Sequence, residues 1–393
     1  MTSPASPPRA RVATMAAFFI NGAAMATWAA NIPSVREHLH LSEPALGLVL
    51  VALAVGCVLA LALAGRLSAR FGSRVLTTAS AVAVVPLLPA LIAAPSVPLL
   101  VATLFVFGVG VSLMDVAMNA HGVLVEGQLR RPVMSSLHAM WSAGSLAGAG
   151  GASLLLRAGW APLSYALLVA GVLAVLGLLA LPRLLPAALD RGRAQDGPTF
   201  VLPSGVLLGV SVLVLLAYVA EGAVADWSAV YLRDALHADR GVAVGGFVAF
   251  NVAMLTARLV GDRLRAWMSA VTLLRTSGLL AAVGMVLALL APVPALAFLG
   301  FALCGFGFSN VVPVMFSAAG AVPGIPAATA VAAAAGAGYV GFLVGPPLIG
   351  GLAGAVSLRV ALLLVVVFAA LIAAFAGVVG RSRVIPATSV TGG

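Results

Sequence analysis

Lysine is absent from this 393-residue chain, charged residues make up only 8% of it, and there are two cysteines. An average soluble domain is roughly a quarter charged, so with 62% apolar residues a soluble globular enzyme is excluded. Disordered, collagenous and disulfide-built chains are excluded with it. Cys57 and Cys304 each sit inside an apolar run and read as small buried hydrophobes, not as half of a disulfide or a metal site. The chain has no Gly-rich phosphate loop ending in Lys, no His-Glu-x-x-His and no Ser elbow between a strand and a helix. Enzymatic chemistry and nucleotide-driven pumping therefore find no support, and neither a cofactor nor a metal is expected. The formal charge of +10 comes from 21 arginines scattered between apolar runs, which fits a positive-inside membrane protein and not a nucleic-acid binder.

What the chain does have is long apolar runs. At about 20 residues per bilayer crossing, the spans read 13–34, 44–64, 75–94, 99–125, 132–156, 162–182, 204–226, 241–261, 271–291, 294–316, 325–350 and 357–380. The first follows Arg9 and Arg11 and contains Ala24-Met25-Ala26, a small-x-small pattern like that of a cleaved secretory signal. The run carries Asn21 and continues to Trp28 and Asn31, so it is expected to be retained as a span. With the N-terminus inside, sixteen arginines fall on the inner side, and Arg36, Arg157, Arg233, Arg240 and Arg359 on the outer. That bias predicts a multi-pass protein with both termini cytoplasmic.

Residues 182–203 carry arginines, aspartates and prolines and little that would enter a membrane. They divide the chain into an N-terminal six-helix bundle (1–182), a cytoplasmic linker (183–203) and a C-terminal six-helix bundle with a short tail (204–393). The two parts repeat. Phe107-Gly108-Val109-Gly110-Val111-Ser112 with Met118 matches Cys304-Gly305-Phe306-Gly307-Phe308-Ser309 with Met315 at an offset of 197 residues, and the same offset carries Gly144-x-x-x-Gly148 onto Gly341-x-x-x-Gly345. Asn21-Gly22 with Trp28 is similar to Glu221-Gly222 with Trp227 at an offset of about 200. Parallel repeats of this kind predict an all-α membrane fold of twelve helices in two pseudo-symmetric bundles. That is the plan of secondary transporters that bind at the midplane and rock around the site. The Gly-x-x-x-Gly pairs are expected at close helix contacts.

The loop Gly65-Arg66-Leu67-Ser68-Ala69-Arg70-Phe71-Gly72-Ser73-Arg74 resembles the cytoplasmic loop motif of the major facilitator superfamily, Gly-x-Leu-Ala-Asp-Arg-x-Gly-Arg-Arg. Gly65, Leu67, Arg70, Gly72 and Arg74 match, while Ala69 stands where the motif has Asp. Gly261-Asp262-Arg263-Leu264-Arg265 restores an Asp-Arg pair in the second half. Within the superfamily, four further stretches resemble the bacterial fucose-permease-like branch: Asp115-x-x-x-Asn119, His138 with Trp141-Ser142, Glu221-Gly222 with Asp226-Trp227-Ser228, and Gly338-Tyr339-x-Gly341-x-x-x-Gly345-Pro346-Pro347. The resemblance implies proton-coupled symport of a small polar, sugar-like solute, with gating at Arg70, Arg74, Asp262 and Arg263. It also implies a monomer in the bacterial inner membrane.

A carboxylate at the bilayer centre costs about 2.5–3.5 kcal/mol, so each intramembrane charge is a site candidate. Asp115 and Asn119 share a helical face. His138, Ser142 and Ser145 form a stripe on the fifth span that is expected at comparable depth. A carboxylate and an imidazole in a partly dry cavity can trade a proton. Glu221, placed about a turn and a half from the outer end of the seventh span, is the second coupling candidate, and Asp226 reads as a solvated charge at that span's end. Asn21, Trp28, Asn31, Asn119, Trp141, Ser142, Trp227, Asn251, Asn310 and Tyr339 are the candidate solute contacts, because polyhydroxyl solutes stack on indoles and bond to amides. Glu126 beside Arg130 and Arg131 reads as an inner gate or a solvated ion pair. The rival to symport is a proton-driven exporter of amphiphilic compounds, which would share the fold and also use a membrane carboxylate; the fifth span has Gly148-Ala149-Gly150-Gly151 in place of the Gly-Pro step typical of drug–proton antiporters, but Gly345-Pro346-Pro347 offers one in the eleventh.

Overall fold

The computed structural model describes residues 6–190, 202–238, 240–243 and 245–382. Among them every regular element is a helix. In order these are α1 (Pro7–His38), α2 (Glu43–Phe71), α3 (Ser73–Ile92), α4 (Val97–Leu129), α5 (Met134–Arg157), α6 (Pro162–Ala180) and α7 (Gly205–Leu236). They are followed by α8 (Arg240–Ala243), α9 (Gly245–Trp267), α10 (Ala270–Leu290), α11 (Pro294–Phe308), α12 (Val311–Gly320), α13 (Ala327–Ala355) and α14 (Leu358–Phe375). The short α8 leads into α9, and α11 and α12 share one span, which makes twelve spans. Ten of them are long and apolar enough to cross a membrane. The two that fall short are α5, diluted by His138 and a series of Ser and Gly, and α9, which carries Asn251, Arg258, Asp262, Arg263 and Arg265.

Local chemistry sets several helix ends. Ser42, Ser269 and Ser357 each accept a backbone N–H from the first turn of the helix that follows (from Ala45, Thr272 and Val360), filling donors that a helix start leaves orphaned. Gly72, at φ +83°, turns the chain from α2 into α3 with no intervening loop, a conformation that L side chains adopt at a cost. Large apolar side chains point outward along the spans, Leu48 at 75% and Leu178 at 76% exposure, as a surface meant for lipid requires.

The chain forms two compact units, one of residues 1–200 with 258–263 and one of 201–257 with 264–393. Within the first, α1 packs on α5, and α4 on α2 and α3; within the second, α7 packs on α13, and α10 on α11 and α14. The glycine repeat lies in these contacts. A Cβ on Gly108 would strike the backbone of Leu53 on α2, and one on Gly110 would come within 2.6 Å of Val84 on α3. Their counterparts Gly305 and Gly307 press in the same way on Phe250 of α9 and Ala281 of α10. Gly144 and Gly148 both lie against the α1 backbone, and Gly341 lies 2.8 Å from the Leu215 carbonyl of α7 by the same measure.

Several expectations need correction. Gly345 is not a tight contact, since its nearest neighbour, Val219, would be 3.7 Å from a Cβ, an ordinary packing distance. Helix α7 runs ten residues past Asp226, so that exposed carboxylate is not at a helix end. Of the linker expected at 183–203, residues 191–201 with Arg191 and Arg193 lie outside the described residues. Residues 181–183 and 187–189 form helical turns that are tied to α3 and α4. The span 294–316 is interrupted at Ser309 and Asn310, because Pro313 has no N–H for the Ser309 carbonyl. In α4 the matching position is Val116, and that helix continues unbroken.

Candidate functional site

In the first unit, α4 and α5 bring three expected residues into direct contact. Asn119 donates from Nδ2 to the Asp115 backbone carbonyl at 2.9 Å and to Asp115 Oδ1 at 3.2 Å, the i–4 reach that one helical turn allows. Its Oδ1 faces His138 Nε2 at 3.1 Å. Phe18 of α1 meets the His138 ring edge-on, with centroids 5.2 Å apart, and Asn119 is fully buried. One turn along α5, the Ser142 hydroxyl accepts from Arg258 Nη1 at 2.7 Å and bonds back to the His138 carbonyl. A half-buried carboxylate, a buried imidazole and an arginine 5% exposed thus line one polar stripe.

Arg258 is what the sequence reading missed, since it counted this residue among inner-side charges. The signal was there: Arg258 stands in an apolar stretch and shares a helical face with Asp262 four residues on. Arg11 was placed in the same way before the first span. Helix α1 instead starts at Pro7, and Arg11 donates to Ser136 Oγ at 2.8 Å and pairs with Asp262 at 3.4 Å. Asp262 therefore pairs with Arg11, not with the adjacent Arg263, which is exposed. Its other oxygen accepts the Ser136 N–H at 3.2 Å. Glu126 takes the Val133 and Met134 N–H groups on Oε2 at 2.9 and 3.2 Å. Two carboxylates thus sit on the N-terminal turn of α5, where the helix dipole and unpaired N–H groups favour negative charge.

Asn21 donates to the Val111 carbonyl and accepts from Trp141 Nε1, both at 3.0 Å. Asn31 is buried and donates to Thr27 of its own helix, and Trp28 is 3% exposed. In the motif loop, Arg70 lies over the Phe71 ring and Arg74 donates to the Pro182 carbonyl at 3.0 Å. Asp190 accepts the Ser73 N–H at 2.9 Å and so caps α3. His121 joins this corner, with Nδ1 at 2.8 Å from Ser73 Oγ and Nε2 accepting the Leu185 N–H at 3.1 Å.

In the second unit Glu221 is half-buried on α7, one turn from Tyr218, whose ring packs edge-on against Phe342 of α13 at 4.6 Å. Trp227 lies beside Gly350 and Tyr339 is half-buried. Asn310 is 1% exposed and donates to Ser309 Oγ at 2.9 Å. Asn251 is exposed and bonds to the Phe247 carbonyl of its own helix.

The sequence model of the Major Facilitator Superfamily matches residues 14–337. An uncharacterized MFS-type transporter of Yersinia pestis is 36% identical over 94% of this chain and 96% of its own. The fold matches that of the Escherichia coli fucose:proton symporter FucP, with a TM-score of 0.78 over 95% of this chain and 98% of that one at 16% identity. It also matches the proton:xylose symporter XylE, with a TM-score of 0.70 over 94% of each chain at 17% identity. The chain belongs to the major facilitator superfamily. It is a multi-pass membrane transporter with that family's twelve-helix architecture, and not an enzyme.

Proposed function

We propose that this transporter is a proton-coupled symporter that accumulates a small polar, sugar-like solute by alternating access. In this reading the two six-helix halves rock about the binding site, and the protein works as a monomer in the bacterial inner membrane with both termini in the cytoplasm. The observation that carries the proposal is the Asp115–Asn119–His138 chain. It is a titratable carboxylate held by a buried amide and imidazole where an unneeded charge would cost several kcal/mol. Glu221 is the second coupling candidate, at the position in the second half that Asn21 occupies in the first. The likeness in fold to two sugar:proton symporters supports the solute class. The indole and amide groups of Asn21, Trp28, Asn31, Trp141, Trp227, Asn310 and Tyr339 suit a polyhydroxyl ligand.

The test begins with thermal stabilisation of the purified protein by sugars, polyols, carboxylates, nucleosides and cationic amphiphiles, because a ligand of the native state raises its melting point. A stabilising solute is then used in proteoliposomes with an inward proton gradient. Wild type should accumulate it, whereas Asp115→Asn and Glu221→Gln should lose accumulation yet still exchange solute at equal pH. Undiminished gradient-driven uptake in both variants would overturn the coupling assignment. Stabilisation confined to amphiphiles would favour export.

A further inference from the structure

Asn119 has two amide hydrogens, and both are spent on Asp115, one on its backbone carbonyl and one on Oδ1. A backbone carbonyl can only accept, so the amide cannot turn over without setting oxygen against oxygen. Asn119 Oδ1 is therefore fixed toward His138 Nε2, and two acceptors cannot share a hydrogen bond. The proton between them belongs to Nε2. A second proton on the ring would have to go to Nδ1, leaving a cation one helical turn from the guanidinium on Ser142. At Asp115, Oδ1 is occupied by the Asn119 N–H, which leaves Oδ2 on a half-buried side chain as the open oxygen.

The other groups facing this pair are few. Helix α2 brings the Cys57 thiol, bonded to the Gly108 carbonyl, and α1 brings the neutral Asn21 and the Phe18 ring. Helix α5 brings His138 itself, α9 contributes Arg258, and α3 has no titratable side chain beyond Arg74 in its first turn. On α4 itself, His121 is committed to Ser73 and Leu185.

We infer that, of this pair, Asp115 carries the coupled proton, at Oδ2, and that His138 is a positioning residue locked in its Nε2–H form by Asn119. The inference rests on the proton-coupled reading above and narrows it: the imidazole and carboxylate do not trade a proton. The carboxyl takes the proton from water on one side of the membrane and returns it to water on the other. Through both states His138 holds the Asn119 amide, and with it the carboxyl rotamer, in place.

The test is ¹⁵N NMR of histidine-labelled protein in lipid, with the His138 signals identified by their loss in His138→Gln. His138 should show a protonated Nε2 and a bare Nδ1 throughout an acid titration. The titration is followed at the same time by the carboxylic-acid infrared band that Asp115→Asn removes. His121 serves as internal reference and should show the opposite form, because its Nε2 accepts the Leu185 N–H. A His138 ring that becomes doubly protonated, or moves its proton to Nδ1, as that band grows would overturn the inference. In transport, His138→Gln keeps an N–H donor for Asn119 and should retain the pH midpoint of accumulation, whereas His138→Leu should shift it. Loss of pH-driven accumulation in His138→Gln with exchange intact would equally overturn it. If no proton-coupled flux exists at all, the carrier half falls with the functional reading, while the NMR result still decides the lock on His138.

Discussion

Gly148 and Gly150 stand two residues apart on α5 and should respond oppositely to the same substitution. A Cβ on Gly148 would lie 2.7 Å from the Ala23 carbonyl oxygen and 3.1 Å from the Thr27 nitrogen, both backbone atoms of α1, whereas one on Gly150 would meet nothing within 4 Å. Alanine at either site gains about 0.8–1.0 kcal/mol of helix propensity. At Gly148 the two helices would have to part by about 0.7 Å to restore ordinary contact, and overpacking of this kind costs about 1–3 kcal/mol. Because the obstacle is backbone and cannot rotate away, the upper part of that range applies, and Gly148→Ala should lose about 1–2 kcal/mol net. Gly150→Ala should be neutral or gain up to about 1 kcal/mol. The two variants then differ by about 1–3 kcal/mol, and at about 2–4 °C per kcal/mol for a unit of this size their melting midpoints should separate by at least about 2 °C. Thermal unfolding in detergent, followed by tryptophan fluorescence, measures this. Equal midpoints, or a Gly150→Ala variant that is the less stable of the two, would refute the close α1–α5 contact.

His121→Leu strands the Leu185 N–H and the Ser73 hydroxyl in a buried corner, and each unmet polar group costs about 1–3 kcal/mol. The variant should melt lower and become more open to proteolysis near residues 181–190, and unchanged values of both would count against the tie. Asp262→Ala removes the acceptor of the Ser136 N–H and the partner of Arg11, a loss of about 1–2 kcal/mol. Asp262→Asn, which keeps an acceptor, should fall between it and wild type in melting midpoint, and the absence of that ordering would refute the cap.

The spans, the repeat and the polar stripe could all be read from sequence because each is written in a single segment. A crossing helix must be apolar over its own length, and a glycine at a tight contact is required by its own position, so Gly108 and Gly110 announce Gly305 and Gly307. The grouping of Asp115 with Asn119 needs only the helical period. Partners between segments were not legible. No spacing rule gives Arg258 to Ser142, Arg11 to Asp262 instead of Arg263, or Asp190 to the first turn of α3, because helix packing decides which side chain arrives opposite which helix end. The close contact expected at Gly345 failed for the same reason, since the motif is visible in the chain but the neighbour that would fill the space is not. Composition and period alone thus determined a twelve-span transporter with a carboxylate in its membrane. Only the tertiary structure decided that Asp115 and His138 are joined through Asn119, because hydrogen-bond direction depends on three atoms from two helices meeting at one point.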